Sequence, residues 1–231
     1  QRFHEKLKDS RAGFGWSSRT SISLLALAAA AGLLVDTGPA SAACTFDVTA
    51  SAYLCSGVSD GLRDASLNNS KIQVPGDGRV NHFSDAFSIG ANNIIDSSGS
   101  IDARDTAIDA AGNLIFNNTG TVSGRVGISV SAGDLELTNT RTIGSLFAPI
   151  EASGKVKITN SGSITGTGIY AGSLALHNSG SIAGPIASRT DLTITNDGSI
   201  VLGTRGVAGS IRSETIGNLI NNGNIAAGTP P

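Results

Sequence analysis

A five-residue pattern, Asn-x-Gly-x-Ile, returns at near-regular intervals, and nothing else in the chain restricts its folding so strongly. The clear copies are Asn118-Thr119-Gly120-Thr121-Val122, Asn160-Ser161-Gly162-Ser163-Ile164, Asn178-Ser179-Gly180-Ser181-Ile182, Asn196-Asp197-Gly198-Ser199-Ile200 and Asn221-Asn222-Gly223-Asn224-Ile225. Two degenerate copies, Ser97 to Ile101 and Asn139 to Ile143, complete a column at positions 99, 120, 141, 162, 180, 198 and 223, with Arg141 standing in for glycine. The steps are 21, 21, 21, 18, 18 and 25 residues. A weaker copy, Asn68-Asn69-Ser70-Lys71-Ile72, precedes them. A fixed period of this length is the mark of a repeat architecture.

Each turn is preceded by two alternating apolar positions: Leu114/Phe116, Leu135/Leu137, Val156/Ile158, Leu174/Leu176 and Leu192/Ile194. Alternation with period two reads as a strand with one buried face. A short apolar element accompanies each unit, at Ile108, Ile128, Ile150, Ile169, Ile186 and Val207. A unit of some 20 residues cannot bury its own apolar face, whereas stacked units share one. After residue 42 there is no helical period. The composition agrees: 30 Gly, no Met and only 4% aromatic residues suit short aliphatic strands joined by tight turns.

The expected fold is therefore all-β, a single-stranded parallel β-helix of about seven coils stacked ~4.8 Å apart. Its right-handedness is taken from exported solenoids in general. Glycine is expected where a turn needs a positive φ, and the stacked asparagines are expected to bond to one another in an internal ladder. The coil carrying Arg141 should bend differently or expose its turn, and Phe116 should plug a local widening. Residues 75–93 break the period and read as an irregular insertion, between an N-terminal cap (43–74) and the repeats (94–231).

The beginning of the chain carries an address. Residues 1–20 have a net charge of +3, and an apolar run from Ile22 to Val35 follows, closed by Asp36, Gly38 and Pro39. Ala40-Ser41-Ala42 then offers a small-x-small cleavage site, which completes a secretory signal peptide at 1–42, cut between Ala42 and Ala43. The apolar run is shorter than the ~20 residues that a membrane-spanning helix needs. The basic region is long and the chain opens on Gln rather than Met, which points to a fragment or to a misassigned start. Beyond the cut stand Cys44 and Cys55, which in an exported protein read as a disulfide. The mature part has 11 cations and 15 anions. That balance excludes a basic nucleic-acid binder.

Solenoids of this shape also serve as polysaccharide lyases and hydrolases, which need opposed carboxylates or a base with cations. Asp102, Arg104, Asp105 and Asp109 form the densest charged group, read as a solvated loop. Asp60, Arg63 and Asp64 read as solvated capping. His177 falls outward by alternation, His82 has no identifiable partner, and Asp77-Gly78 reads as a turn. No residue pattern calls for a cofactor or a metal.

The long basic leader, Cys44 and Cys55 near the mature start, and runs of Leu-x-Ile-x-Asn-x-Gly-x-Ile together resemble the N-terminal passenger of an autotransporter (type V secretion). The resemblance implies export by the Sec translocon and passage through an outer-membrane translocator barrel, expected in a C-terminal part beyond Pro231. It places the passenger at the surface of a Gram-negative bacterium or outside it. There it would act as an adhesin-like or structural stalk without catalysis, meeting a host or bacterial surface glycan or protein. The alternative is a carbohydrate-active enzyme, a polysaccharide lyase or hydrolase, on the same scaffold.

Overall fold

A computed structural model describes residues 44–203 and 209–228. The signal segment, the cleavage position at Ala42 and Ala43, and Val207 lie outside the described residues. Every described element is a strand, and the strands stack as a parallel β-solenoid of about eight turns.

Each coil follows one path. A strand in a nine-stranded sheet leads through a corner to a short arm, then a bend, then a ladder arm, and an Asn turn starts the next coil. The two arms belong to a single 16-stranded sheet. Thr106–Ala110 and Val126–Val130 are short-arm strands, Leu114–Asn118 and Leu135–Asn139 are ladder-arm strands, and Ile150–Asn160 and Ile169–Asn178 run through both arms. Thr121–Gly124 and Ser163–Thr165 belong to the nine-stranded sheet.

The alternating residues do face inward. Leu114, Phe116, Leu135, Leu137, Val156, Ile158, Leu174, Leu176, Leu192 and Ile194 are all buried. Phe116 sits in register between Ile95 and Leu137 and has no exposed surface. Ile108, Ile128, Ile150, Ile169 and Ile186 form the opposing rank, which Ile211 continues. Ile101, Val122, Ile143, Ile164, Ile182 and Ile200 close the third side. Fully burying each such side chain is worth roughly 1.5–3 kcal/mol, gained only when a neighbouring coil covers it.

Asparagines from successive coils form the internal ladder. Nδ2 of Asn118 donates to Oδ1 of Asn139 at 2.7 Å, and the same bond recurs from Asn139 to Asn160, Asn178, Asn196 and Asn221. Each donor also lies 3.2–3.3 Å from the carbonyl two residues ahead. Buried amides are thereby satisfied within one column, as burial of polar groups demands.

The glycines of these turns serve a different need from the one expected. None of Gly120, Gly162, Gly180, Gly198 or Gly223 has a positive φ. They are small because coils touch there: a Cβ on Gly162 would meet Arg141 O at 2.0 Å, and one on Gly180 would meet Gly162 O at 2.1 Å. Arg141 keeps the same turn, with Asn139 Nδ2 3.2 Å from its carbonyl, and is exposed. The bond beneath it, Thr142 N to Gly120 O, is 3.2 Å, against 2.6–3.0 Å for its counterparts in the rest of the column.

Residues 75–93 are not an irregular insertion. Arg79–His82 pairs in parallel with both Val58–Ser59 and Ser100–Ala103, and Phe87–Ile89 pairs with Leu62–Asp64 and Thr106–Ala110. Gly78 and Gly57 continue the turn column downward at the same 21-residue step. The copy at Asn68 to Ile72 is displaced, because Ile72 pairs with Ile95 rather than with a turn isoleucine. The solenoid therefore begins two turns below Gly99, the lowest member of the expected column.

The change of step from 21 to 18 leaves the ladder untouched. Pairing Gly144 with Thr165 and Ile150 with Ile169 shortens the corner by two residues. A register shift between Ala152 and Lys155 removes one more at the bend.

Below Asn118 the ladder position is held by Ser97 and then Val74. The Ser97 hydroxyl is buried with no hydrogen-bond partner. Ser97→Asn should extend the ladder by one rung, giving Asn118 Oδ1 the donor that every higher rung has. The expected gain is about 1 kcal/mol, read as a higher denaturation midpoint with unchanged m-value.

The bottom coil is closed by an antiparallel pair, the one such pair among the described residues, Thr45–Asp47 with Ala52–Leu54, and by the Cys44–Cys55 disulfide with its Cα atoms 4.3 Å apart. Both cysteines are buried against the core, with Cys44 Sγ 3.4 Å from Ser59 Oγ. Closing this loop is worth about 2–3 kcal/mol. Reduction should therefore raise hydrogen exchange in residues 45–59 while leaving residues 114–200 protected, which mass spectrometry can resolve.

Candidate functional site

With aliphatic residues facing inward, the intervening positions of each strand make the outer surface. On the nine-stranded sheet this gives a rank of hydroxyls, Ser100, Thr121, Thr142, Ser163, Ser181 and Ser199, in register. On the ladder arm, Asn117, Thr138, Thr159, His177 and Thr195 form another. His177 is exposed, as alternation requires, with Nε2 3.7 Å from Asp197. Asp96 lies in this outer rank below Asn117 and pairs diagonally with Lys71 at 3.1 Å. Partial burial pulls the Asp96 carboxyl upward, but hydrogen bonds from Asn117 and Lys71 and the lysine charge outweigh it and hold the group below its ordinary value.

The acidic residues singled out in the sequence do not converge. Asp102 lies on the nine-stranded sheet and accepts from Ser123 Oγ at 2.6 Å. Asp105 sits at the corner, 3.9 Å from Arg125, and Asp109 is on the short arm beside Ser129. Asp64 accepts from the hydroxyl and amide of Ser66, which lower its pKa, while Asp60 lies at the foot of the solenoid. His82 does have partners: its Nδ1 accepts from Ser84 N at 2.9 Å and lies 3.3 Å from an Arg63 guanidinium nitrogen. Two donors on one ring nitrogen require that nitrogen to be unprotonated. Among the described residues no group of three or more His, Cys, Asp or Glu is placed to hold a metal.

Surface hollows open at the bend between the two arms, a feature the repeat pattern alone does not mark. Glycines stack there as they do at the turn: a Cβ on Gly154 would meet Gly133 O at 2.1 Å, and one on Gly172 would meet Ser153 O at 2.1 Å. A second polar column runs alongside, from Asn113 Nδ2 to Asn92 Oδ1, from Asp134 N to Asn113 Oδ1, and from Lys155 N to Asp134 Oδ1. The recurring glycines at 112, 133 and 154, again 21 apart, are the signal that could have revealed it.

Two hollows flank this bend. One, of about 490 Å³, is rimmed by Asp134, Glu136, Lys155, Lys157 and Asp191, with Lys157 and Glu136 paired at 2.8 Å. The other, of about 460 Å³, is lined by Ser129, Ser131, Glu151, Ser153, Tyr170 and Arg189. Tyr170 follows Glu151 in one outward rank, with Ser129 below and Ala187 above.

Fold and surface define a parallel β-solenoid with polar outer ranks and a furrowed bend. Comparison with protein-family models, with curated proteins and with solved structures returns no match.

Proposed function

We propose that this chain is an exported, non-catalytic passenger of the autotransporter kind, serving as an adhesive or structural stalk at a Gram-negative cell surface. The observation that carries the reading is the unbroken outer rank from Ser100 to Ser199, held at coil spacing by the shared core. Regularly spaced hydroxyls offer weak contacts that gain strength by repetition. A buried disulfide at the first coil suits an oxidising compartment, and the basic-apolar leader supplies the Sec address.

The test is display of the chain on a Gram-negative cell, fused ahead of a translocator barrel. Antibody should reach residues 94–203 on intact cells. Adhesion to glycan- or protein-coated surfaces should fall in steps as whole coils are deleted in register, for example residues 163–180. Retention in the cytoplasm with both thiols free, or adhesion indifferent to coil number, would overturn the reading.

A further inference from the structure

We propose that the hollow around Tyr170 is a binding site for a neutral pyranose of a glycan chain. The inference rests on the passenger reading for its biological setting and goes beyond it, since it assigns a defined monovalent site.

Among the described strands above the N-terminal hairpin, Tyr170 is the one aromatic residue in an outward position. Tyr170 is 39% exposed; Phe83 and Phe147 are exposed as well, but they lie in loops rather than on a strand face. The ring is also held. Its hydroxyl donates to Thr167 O at 3.0 Å, and it lies over Gly168, where a Cβ would meet Cζ at 3.1 Å. A platform fixed in advance loses little freedom when a ligand covers it.

The surroundings match a polyhydroxylated ring. Glu151 is the in-register neighbour on the coil below and offers a carboxylate acceptor. Arg189 stands on the coil above, anchored by its amide to Ala171 O at 3.0 Å and Gly172 O at 3.1 Å, and offers guanidinium donors. Sugar hydroxyls both donate and accept, so they can serve both groups at once. One negative and one positive side chain leave the hollow without net charge, which favours a neutral sugar over a uronate. Ser131 and Ser153 add hydroxyls at the rim, although Ser153 Oγ already donates to Ser131 O at 2.7 Å. The volume of about 460 Å³ falls within the ~300–1,000 Å³ common for small-ligand pockets.

The test uses the purified, oxidised chain, titrated by calorimetry and NMR with neutral gluco-, galacto- and manno-configured tetrasaccharides and, separately, with oligouronates. Binding of at least one neutral sugar is expected, with shifts in the Tyr170 ring signals. Tyr170→Ala should weaken it about tenfold or more, Glu151→Gln should weaken it less, and Tyr170→Phe, which keeps the ring face but loses the Thr167 bond, should weaken it less than Tyr170→Ala. Absence of neutral-sugar binding, preference for uronates, undiminished binding by Tyr170→Ala, or ring signals that do not respond in the unmodified chain would each overturn the proposal. The ring-signal readout stands even if a variant fails to fold. Cell adhesion is measured separately, so loss of the sugar site leaves the passenger reading standing and the reverse also holds.

Discussion

Asn160→Asp is expected to destabilise the solenoid by about 4 kcal/mol at pH 8 and by far less at pH 4. Asn160 has no exposed surface, accepts from Asn139 Nδ2 and donates to Asn178 Oδ1, both at 2.7 Å. An ionised aspartate can still accept from below. Its second oxygen would then face the Asn178 oxygen and the carbonyls of Gly162 and Ser181, at positions where the native amide has its donors 3.3 and 3.2 Å away. A buried charge facing acceptors costs several kcal/mol. When protonated, the same oxygen becomes a donor and restores the rung. The folded-state pKa of the new carboxyl is therefore raised above its unfolded value, so stability falls as pH rises through the folded pKa. Thermal melts at the two pH values check this, with Asn160→Ala expected to cost about 3 kcal/mol at both. A pH-independent loss for the aspartate variant would show that the ladder amides are not the contact being broken.

Gly180→Val should cost at least about 3 kcal/mol and do so through backbone alone. Its Cβ would meet Gly162 O at 2.1 Å and Ser161 C at 2.6 Å, atoms that cannot rotate away. Relief requires prising the two coils apart, and the asparagine bond from Asn160 to Asn178 spans that gap. Solenoid stability is the sum of unit and interface terms. One broken interface should therefore split denaturant unfolding into two transitions, one for the coils below residue 162 and one for those above 180. Arg141 is the internal comparison: that coil admits a full side chain, with a longer bond between Thr142 and Gly120. A single transition at the native midpoint would mean that the turn can open without loss.

Much of this architecture was legible because its strongest constraints repeat with little change. Ile158, Leu176 and Ile194 face inward as alternation demands, and the asparagines stack as a shared turn requires. The lower coils escaped notice because asparagine is only one way to fill the ladder position. Ser97 keeps a small polar group beside Gly99, but one coil lower Val74 fills the position with a methyl pair, so Gly78 stands without its usual companion. The bend glycines are harder to see, since the residues around Gly133, Gly154 and Gly172 face solvent and are free to differ. The hollow at Tyr170 depends on residues from three coils, Glu151, Tyr170 and Arg189, and their proximity follows only from register. The Arg63 contact of His82 is hidden in the sequence for the same reason, since 19 residues separate the pair.

The ladder also has a direction. Every rung from Asn118 to Asn221 points its amino group toward the C-terminal coils and its carbonyl toward the N-terminal ones. Aligned side-chain dipoles add and polarise one another, as peptide dipoles do in a helix. The solenoid is thus an electrically oriented body, its axis partially positive near Asn221 and partially negative near Ser97.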